Sequence, residues 1–330
     1  MSHSSAAAAL LAPAVAGALG LAPAAAHAQN APPAARAAWI KACYDRKHQE
    51  SLPCGHWRLR LRDGRDAVVR GAAGRGIDGK GRAGAFAGVF AISADGRVMA
   101  YERAGDHRLV VRRTAGGPVT ELPRAARPKG VGSDEIDLSL SPSGDRVLID
   151  YFDAPDRLPT KVITVATGAI TALSPKHGAL GFSADGDEVL TTRTVSDNTT
   201  AMYAHRLGGG VIRRTPPTLV MNAATHALAA DGTTVALFTT SEQKPPRVRT
   251  YDLATGRLSA GAELPLKPDA TPYLAWWDAG GRLTATVRTG EEGKAAVVRV
   301  LTVDPETGTA TQADKYTIGS KGSTFVLAGE

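Results

Sequence analysis

Gly181–Arg193 reads GFSADGDEVLTTR, and this stretch decides the fold of the 330-residue chain. A short apolar segment leads into a tight Ser-Ala-Asp-Gly turn, and a second segment rich in Val, Leu and Thr leaves it, which is the pattern of a β-hairpin. Four more stretches share this pattern: FAISADGRVMAYER (Phe90–Arg103), LSLSPSGDRVLIDY (Leu138–Tyr151), HALAADGTTVALFT (His226–Thr239) and AWWDAGGRLTATV (Ala275–Val287). The repetition predicts five copies of one structural unit.

Each unit continues beyond the hairpin with a variable loop, a third strand, a glycine turn and a fourth strand. The units recur roughly every 47 residues, with irregular spacing. The last glycines of the turns are Gly117, Gly168, Gly210, Gly256 and Gly308. Four strands per unit at this spacing are typical of β-propeller blades, whereas a solenoid needs shorter and more regular repeats.

Five complete blades occupy Phe86–Asp314, and two β-rich segments remain outside them. These are a predicted hairpin, His56–Val69, and a tail strand, Ser323–Ala328. Because a propeller usually closes its ring by combining strands from both ends of the chain, they predict a sixth, composite blade. We therefore expect an all-β propeller over residues 56–330 with six four-stranded blades. The alternatives are five blades with extra edge strands, or seven if Ile77–Gly88 holds further strands.

The N-terminus has the pattern of a secretory signal peptide. Residues 6–25 are almost entirely Ala, Leu, Val, Gly and Pro, and the small-x-small sequence Ala26-His27-Ala28 follows. The pattern predicts cleavage of residues 1–28 and a secreted, extracellular protein. Met1–Ser5 lacks the usual Lys or Arg, so an uncleaved membrane anchor is the alternative, although prolines in the segment would interrupt a spanning helix. No later run reaches transmembrane length, which predicts a mature chain without a membrane span.

Residues 29–55 are expected to hold a linker and a short amphipathic helix. Apolar residues between Ala35 and Cys43 recur at helical spacing. In an oxidising compartment Cys43 and Cys54 should form a disulfide, which would stabilise the folded state by roughly 3 kcal/mol on the chain-entropy model. A zinc site is the alternative, but zinc sites favour more closely spaced cysteines.

The net charge of +7 is local. Between Arg36 and Arg82 the chain holds twelve Lys and Arg against five Asp and Glu, so the repeat region is neutral. A neutral body argues against a nucleic-acid-binding surface. Within the basic region, Arg58, Arg60 and Arg62 alternate with apolar residues and share one face of a strand. This face either is exposed to solvent and prevents edge-to-edge pairing with another sheet, or it binds an anionic cell-wall polymer.

Motifs that would indicate catalysis or nucleotide binding are incomplete. In Gly71–Gly84, a P-loop-like pattern has Gly81 in place of Ser or Thr, and a dinucleotide-like pattern leads into a strand-like segment instead of a helix. The nearest match to a serine-hydrolase elbow, Gly181–Asp185, has Asp where Gly is required. The histidines lack metal-ligand spacing. We therefore assign no catalytic, cofactor-binding or metal-binding residue, and expect a protein that uses no cofactor and is not an enzyme.

The repeats FSADGDEVL, LSPSGDRVLIDY and YDLATGRL resemble those of TolB-like and WD-repeat-like bacterial β-propellers. Over most of Trp57–Leu327, the chain also resembles a group of exported proteins from high-GC bacteria that are described only by their repeats. The resemblance implies a propeller fold and no particular activity, because propellers host binding proteins, hydrolases and lyases alike. The Trp-Asp dipeptide of eukaryotic WD repeats is not reproduced, since Trp277-Asp278 stands at the turn after a first strand.

In a propeller, the loops that enter the first strands surround one end of the central channel, where binding sites are common. The longest such loop is Pro123–Ile136, and its neighbours are Thr215–Thr225 and Pro265–Pro272. The candidate ligand-binding residues are Arg124, Arg127, Lys129, Asp134 and Glu135.

We expect an exported, monomeric, non-catalytic propeller that binds an unknown protein or cell-envelope ligand through this face. The alternative is a hydrolase or lyase with acidic residues at the channel mouth, namely Asp134, Glu135 and Asp137. Convergent carboxylates at the mouth would favour the enzyme, and an apolar or loop-filled mouth would favour binding.

Overall fold

The computed structural model describes residues 32–330 except for 48, 153–156, 196–198, 291–294 and 319–323. Within these residues, 24 β-strands form six four-stranded antiparallel sheets, which are the blades of a propeller. The prediction of six blades is thus confirmed. The predicted signal peptide, residues 1–28, lies outside the described residues. No helix in the described part of the chain is long and apolar enough to cross a membrane.

The strands are numbered in chain order, and the blades take their order from the chain. The composite blade 1 contains β1 (Ala35–Asp45), β2 (Glu50–Leu61), β3 (Asp66–Val69) and β24 (Thr324–Leu327). Blade 2 contains β4 (Phe90–Ile92), β5 (Val98–Glu102), β6 (Leu109–Arg113) and β7 (Val119–Glu121). Blade 3 contains β8 (Ile136–Leu140), β9 (Arg146–Tyr151), β10 (Lys161–Thr164) and β11 (Ile170–Ala172).

The remaining three blades follow the same plan. Blade 4 contains β12 (Gly178–Phe182), β13 (Glu188–Thr194), β14 (Thr200–Arg206) and β15 (Val211–Arg214). Blade 5 contains β16 (Thr225–Leu228), β17 (Thr234–Thr239), β18 (Arg247–Asp252) and β19 (Ala262–Glu263), and α1 (Thr218–Met221) precedes it. Blade 6 contains β20 (Pro272–Trp277), β21 (Leu283–Thr289), β22 (Ala296–Val303) and β23 (Ala310–Ile318).

The turn between the first two strands of a blade is held by its own side chains. In blade 4 the hydroxyl of Ser183 donates to Asp185 Oδ1 at 2.6 Å and accepts from the backbone N–H of Glu188 at 2.9 Å. Gly186 has a φ of +79°, in the left-handed region that favours glycine. The repeated Ser, Asp and Gly therefore satisfy backbone groups at a tight turn, which explains their recurrence without any catalytic role.

The composite blade joins both ends of the chain, as predicted. β24 is its innermost strand, followed outward by β1, β2 and β3. Ala38 pairs with Leu59 of β2 on one side and with Val326 of β24 on the other. A parallel bridge from Ala328 to Ile92 connects β24 to the first strand of blade 2 and closes the ring.

The predicted N-terminal helix is wrong, because Ala35–Asp45 forms β1. A blade covers each face of this strand: Ala38 packs in one apolar cluster with Trp57, and Ala37 in another with Tyr316. Both alanines are fully buried. A strand covered on both faces lacks the alternation of polar and apolar residues that identifies a half-buried strand. Its small apolar residues therefore recur at a spacing that also fits a helix, which explains the wrong prediction.

Cys43 of β1 and Cys54 of β2 form the predicted disulfide, with Cα atoms 5.8 Å apart. The bond ties the two strands together near the end of their hairpin. Further along β2, Trp57 is buried and Arg58 is exposed, and Arg62 directly after the strand is exposed as well, in the alternation that the sequence predicted.

The core consists of apolar layers between neighbouring blades. In the layer between blades 1 and 2, the ring of Trp57 lies 4.8 Å from that of Phe90, which in turn lies 5.8 Å from that of Tyr101. The indole N–H of Trp57 donates to the carbonyl of Ala73 at 3.0 Å. Because the core is divided among the blade interfaces, the first strands at the centre are free to present polar side chains to the channel.

Candidate functional site

The two ends of the channel differ in what surrounds them. The first strands of neighbouring blades run in the same direction, as shown by parallel bridges from Ser183 to Leu228 and from Ile92 to Ala328. All loops that enter first strands therefore lie at one end, here called the entry face. The turns that follow the first strands lie at the other end, here called the turn face. The turn face repeats one motif, whereas the entry face carries the loops that differ from blade to blade.

The channel contains a cavity of about 550 Å³. The first strands of blades 3 to 6 and the last residues of the chain form its wall. Polar side chains in this wall come from Asp137, Ser139, Asp150, Thr225, His226 and Glu330. A concave surface with a few convergent polar groups is the usual form of a binding site.

Two of the three carboxylates in the described wall are engaged in the fold. Asp150 accepts hydrogen bonds from the hydroxyl of Thr160 at 2.7 Å and from the backbone N–H of Ala179 at 2.8 Å. Glu330 accepts from the backbone N–H of Leu327 at 2.7 Å and from the hydroxyl of Tyr273. The first set links blade 3 to blade 4, and the second positions the end of the chain.

Asp137 is the wall carboxylate that these bonds leave free. Burial raises the pKa of Asp137, and the negative charge of Asp150 raises it further. Burial likewise raises the pKa of Glu330. Asp137 forms no ion pair with any described residue, so the cavity offers a partly dehydrated carboxylate to a cationic or hydrogen-bond-donating group.

The alternative catalytic set of Asp134, Glu135 and Asp137 is not assembled. Glu135 accepts from the backbone N–H of Gly132 at 2.6 Å, and Asp134 is exposed on the loop, while Asp137 faces the channel. What the structure brings together is Asp137 and Asp150, which are register partners on β8 and β9. Among the described residues, no group of three or more His, Cys, Asp or Glu side chains is placed to hold a metal ion.

Arg127 of the predicted binding loop belongs to a buried network centred on Glu102. The carboxylate of Glu102 is fully buried and accepts from Arg127 Nη1 at 2.9 Å, from Ser133 Oγ at 2.7 Å and from the backbone N–H of Val89 at 3.2 Å. Only 11% of the Arg127 side chain is exposed. Arg127 therefore holds the loop against blade 2, and its guanidinium is not presented to a ligand.

His107 belongs to the same network and contacts both Glu102 and Arg127. Its Nδ1 lies 2.6 Å from Glu102 Oε1, and its carbonyl accepts from Arg127 at 3.0 Å. Its φ of +56° is uncommon for a residue other than glycine. The side chain is 30% exposed and lines a cleft of about 680 Å³ together with Arg124 and Lys129.

Glu102 and His107 were not among the predicted site residues. The available signal was an acidic residue at the end of the otherwise apolar strand VMAYE, Val98–Glu102. Of the five predicted loop residues, Arg124, Lys129 and Asp134 are exposed, whereas Arg127 and Glu135 hold the shape of the loop.

The Gly-rich segment Gly71–Gly84 supports the binding loop by close packing. A Cβ atom on Gly79 would lie 2.5 Å from the carbonyl oxygen of Gly130, and one on Gly76 would lie 2.6 Å from the Cβ of Ser133. The segment leads into β4 without an intervening helix. Its glycines thus permit backbone contact between two loops, as expected where only a residue without a side chain fits.

The entering loop Thr215–Thr225 contains α1 and is fixed by a histidine. His226 Nε2 donates to the carbonyl of Val220 at 2.7 Å. Burial lowers the pKa of His226, which favours its neutral form. The other predicted neighbour, Pro265–Pro272, has no regular secondary structure before its last residue begins β20.

Exposed aromatic side chains gather on the entry face. Tyr44 at the end of β1, Phe152 after β9 and Tyr273 at the start of β20 are 63%, 67% and 41% exposed. Leu219 of α1 is also exposed there. All four residues lie at the same end of the ring, and exposed aromatic and apolar side chains are typical of an interaction surface.

A histidine cluster of buried His177 and half-buried His205 lies between blades 3 and 4. His177 Nδ1 lies 2.9 Å from Thr191 Oγ1 and 3.2 Å from His205 Nε2. Burial, with smaller effects of His205 and Arg193, lowers the pKa of His177 to about 4. Burial also lowers the pKa of His205. The sequence shows only scattered histidines, and the strands bring these two together.

The three arginines on the face of β2 have different environments. Arg60 pairs with Asp66 at 2.9 Å, and the guanidinium of Arg58 lies 5.8 Å from the centre of the Trp39 ring. Arg62 is exposed and has no ion-pair partner in the described ranges. The face is therefore less strongly cationic than the sequence suggests.

The chain was compared with known proteins. No family model and no curated protein matches it. Among solved structures it is similar to TolB from Acinetobacter baumannii, with 15% identity and a TM-score of 0.50, over 89% of this chain and 66% of that one. The likeness is one of fold. The TolB-like propeller predicted from the repeats is thereby confirmed at that level, and the chain spans 66% of the length of this TolB structure.

Two further similar structures come from different proteins. A putative TolB from Agrobacterium tumefaciens shares 12% identity and a TM-score of 0.48, over 88% of this chain and 91% of that one. An acylaminoacyl peptidase from Pyrococcus horikoshii shares 12% identity and a TM-score of 0.46, over 86% of this chain and 44% of that one. A shared fold does not define a function, so function has to be argued from the site.

Proposed function

We propose that the protein is an exported, non-catalytic β-propeller that binds a protein or cell-envelope ligand through the loops of its entry face. The observation that carries the proposal is the presence of three exposed aromatic residues, Tyr44, Phe152 and Tyr273, on that face. Tyr and Phe are enriched where proteins meet, because they bury large apolar area at little cost in side-chain entropy. The disulfide fits a protein that folds in an oxidising compartment.

The test is capture of envelope material from the producing cell by the mature chain, with two sets of variants. One set replaces Tyr44, Phe152 and Leu219 by Ser on the entry face. The matched set replaces Val119, Ile170 and Val211 by Ser, which are exposed apolar residues on the outer strands. We expect the first set to lose at least about 90% of specific capture, since anchors of this kind each contribute over 1 kcal/mol. Loss confined to the outer-strand set would contradict the proposal.

The alternative proposal is a hydrolase or lyase that uses Asp137 and Asp150 in the channel. Its support is the pairing of a carboxylate whose pKa is raised, Asp137, with one held by two hydrogen bonds, Asp150. Two carboxylates in different environments are the usual basis of acid and base roles. Turnover of ester, glycoside or polysaccharide substrates that Asp137→Asn abolishes, with capture retained, would favour this alternative.

A further inference from the structure

The cleft beside His107 is separate from the channel. It measures about 680 Å³ and is lined by residues 106–109 of blade 2 and residues 122–129 of the binding loop. It shares no lining residue with the channel cavity. A ligand in this cleft would therefore leave the channel mouth open.

Two cationic side chains in the cleft have no acidic partner in the described part of the chain, namely Arg124 and Lys129, and both are exposed. The other arginines of this region are paired: Arg103 with Asp106, Arg103 and Arg108 with Glu121, and Arg127 with Glu102. The unpaired charge is positive, so the cleft favours an anion.

His107 lines the same cleft with a side chain that is 30% exposed. Because the carboxylate of Glu102 accepts, Nδ1 of His107 carries the proton of their 2.6 Å contact. Nε2 has no partner among the described residues, so it is left to a ligand. Glu102 and the bond from Arg127 to the His107 carbonyl prevent the ring from turning away. A buried acid that orients an imidazole in this way prepares its second nitrogen to accept a proton from a ligand.

We propose that this cleft binds a phosphate monoester group or inorganic phosphate. Such a group has a second pKa near 6, so around neutral pH it carries negative charge and retains a P–OH in part of the population. Arg124 and Lys129 attract the charge, and the P–OH donates to Nε2 of His107. Sulfate and phosphodiesters have no proton to donate and make only the first contact. The site goes beyond the proposed function, because it needs no macromolecular partner.

The test follows the imidazole Cε1–H signal of His107 by NMR on the mature chain near neutral pH, while inorganic phosphate is added at constant ionic strength. The variant His107→Asn identifies the signal, and Asn tolerates the positive φ at this position. We expect a saturable shift of the His107 signal. A shift that does not saturate, or no shift, would overturn the proposal.

Two charge-matched pairs of variants test the cations. Arg124→Gln with Lys129→Gln should weaken phosphate binding at least about fivefold, the effect of losing two exposed contacts of modest strength. Lys176→Gln with Lys267→Gln removes the same charge from exposed entry-face residues outside the cleft and should change binding less than about twofold. Equal weakening by both pairs would show that phosphate is attracted only by the overall positive charge of the surface, and it would overturn the proposed site.

Other anions distinguish the source of the phosphate. Glycerol 1-phosphate should bind like inorganic phosphate, whereas sulfate and dimethyl phosphate should bind at least about fivefold more weakly because each lacks the donated proton. Equal binding of dimethyl phosphate would point to phosphodiesters, such as lipid headgroups or wall polymers, and would overturn the monoester assignment. These titrations do not measure envelope capture, so their failure is distinct from failure of the proposed function.

Discussion

Glu102 lies fully buried under the binding loop, where Arg127, Ser133 and His107 surround its two carboxylate oxygens. A buried carboxylate is tolerated only when its charge and its lone pairs are satisfied. The loop therefore owes its shape to a charged group beneath it, and the exposed residues of the loop depend on that group for their position.

The buried pair predicts a large stability difference between two nearby arginines. Arg127→Met should lower the free energy of unfolding by about 3–5 kcal/mol, because it leaves the Glu102 carboxylate buried without its cation. Arg124→Met, three residues earlier and exposed, should change it by less than about 0.5 kcal/mol. Urea denaturation of both variants measures the difference. Equal effects would mean that the Glu102 charge is compensated by other groups.

The histidine cluster predicts loss of stability in mild acid. The folded state lowers the pKa of His177 to about 4 and also lowers that of His205. A histidine in the unfolded chain has a pKa of about 6.5. Below that pH the unfolded chain therefore binds protons at these two histidines while they remain neutral in the folded chain. Stability should therefore fall as the pH drops from about 6.5 toward the folded pKa values, and this contribution saturates below them.

Urea denaturation at pH 7 and pH 5 tests the histidine prediction. The double variant His177→Gln with His205→Gln should show a smaller loss between the two pH values than the unchanged protein. His56→Gln, which alters an exposed histidine, is the control and should leave the loss as it is. The half-buried His226, whose pKa is also lowered, accounts for part of the loss that remains in the double variant.

At the scale of elements, β1 and β2 form the longest hairpin of the ring, and the disulfide spans it. Replacing Cys43 and Cys54 together by Ser should lower the free energy of unfolding by roughly 3 kcal/mol, because the unfolded chain regains the entropy of an open loop. Reductant should lower the stability of the unchanged protein by a similar amount and have no effect on the variant. An effect of reductant on the variant would show that the reductant acts elsewhere.

The Gly-rich segment shows why an element cannot be read from its glycines alone. Gly76 and Gly79 are required by close contact with a second loop that lies about 50 residues away in the chain. The same residue pattern would serve a phosphate if a helix followed, and here a strand follows.

At the scale of the molecule, the ring is closed by one short strand, β24, whose Leu327 is buried. Leu327→Ala should lower the free energy of unfolding by about 2–5 kcal/mol through the cavity that it leaves. Val119→Ala, on the exposed outer strand β7, should cost less than about 1 kcal/mol. Hydrogen exchange should show the loss of protection in β1 and β4, the neighbours of β24. Protection lost evenly around the ring would contradict closure by β24.

The five hairpins, the composite sixth blade and the disulfide could be predicted from the sequence because each depends on local chemistry. Ser, Asp and Gly close a turn within a few residues, and β segments left at both ends of the chain fit the closure of a ring, although β1 of the composite blade was not predicted. The candidate loop Pro123–Ile136 was located in the same way, from its length and its place in the repeat.

Only the tertiary structure decided which residues of that loop face a ligand. Arg127 turned inward because Glu102, about 25 residues earlier in the chain, requires a cation, and the pairing of His107 with Glu102 created a cleft that no local pattern reveals. β1 likewise became a strand because two blades cover its faces and two strands flank its edges. The conformation of a turn depends on residues that are neighbours in the sequence. Which side chains are buried, and which charges are paired, depends on residues that come into contact only when the ring closes.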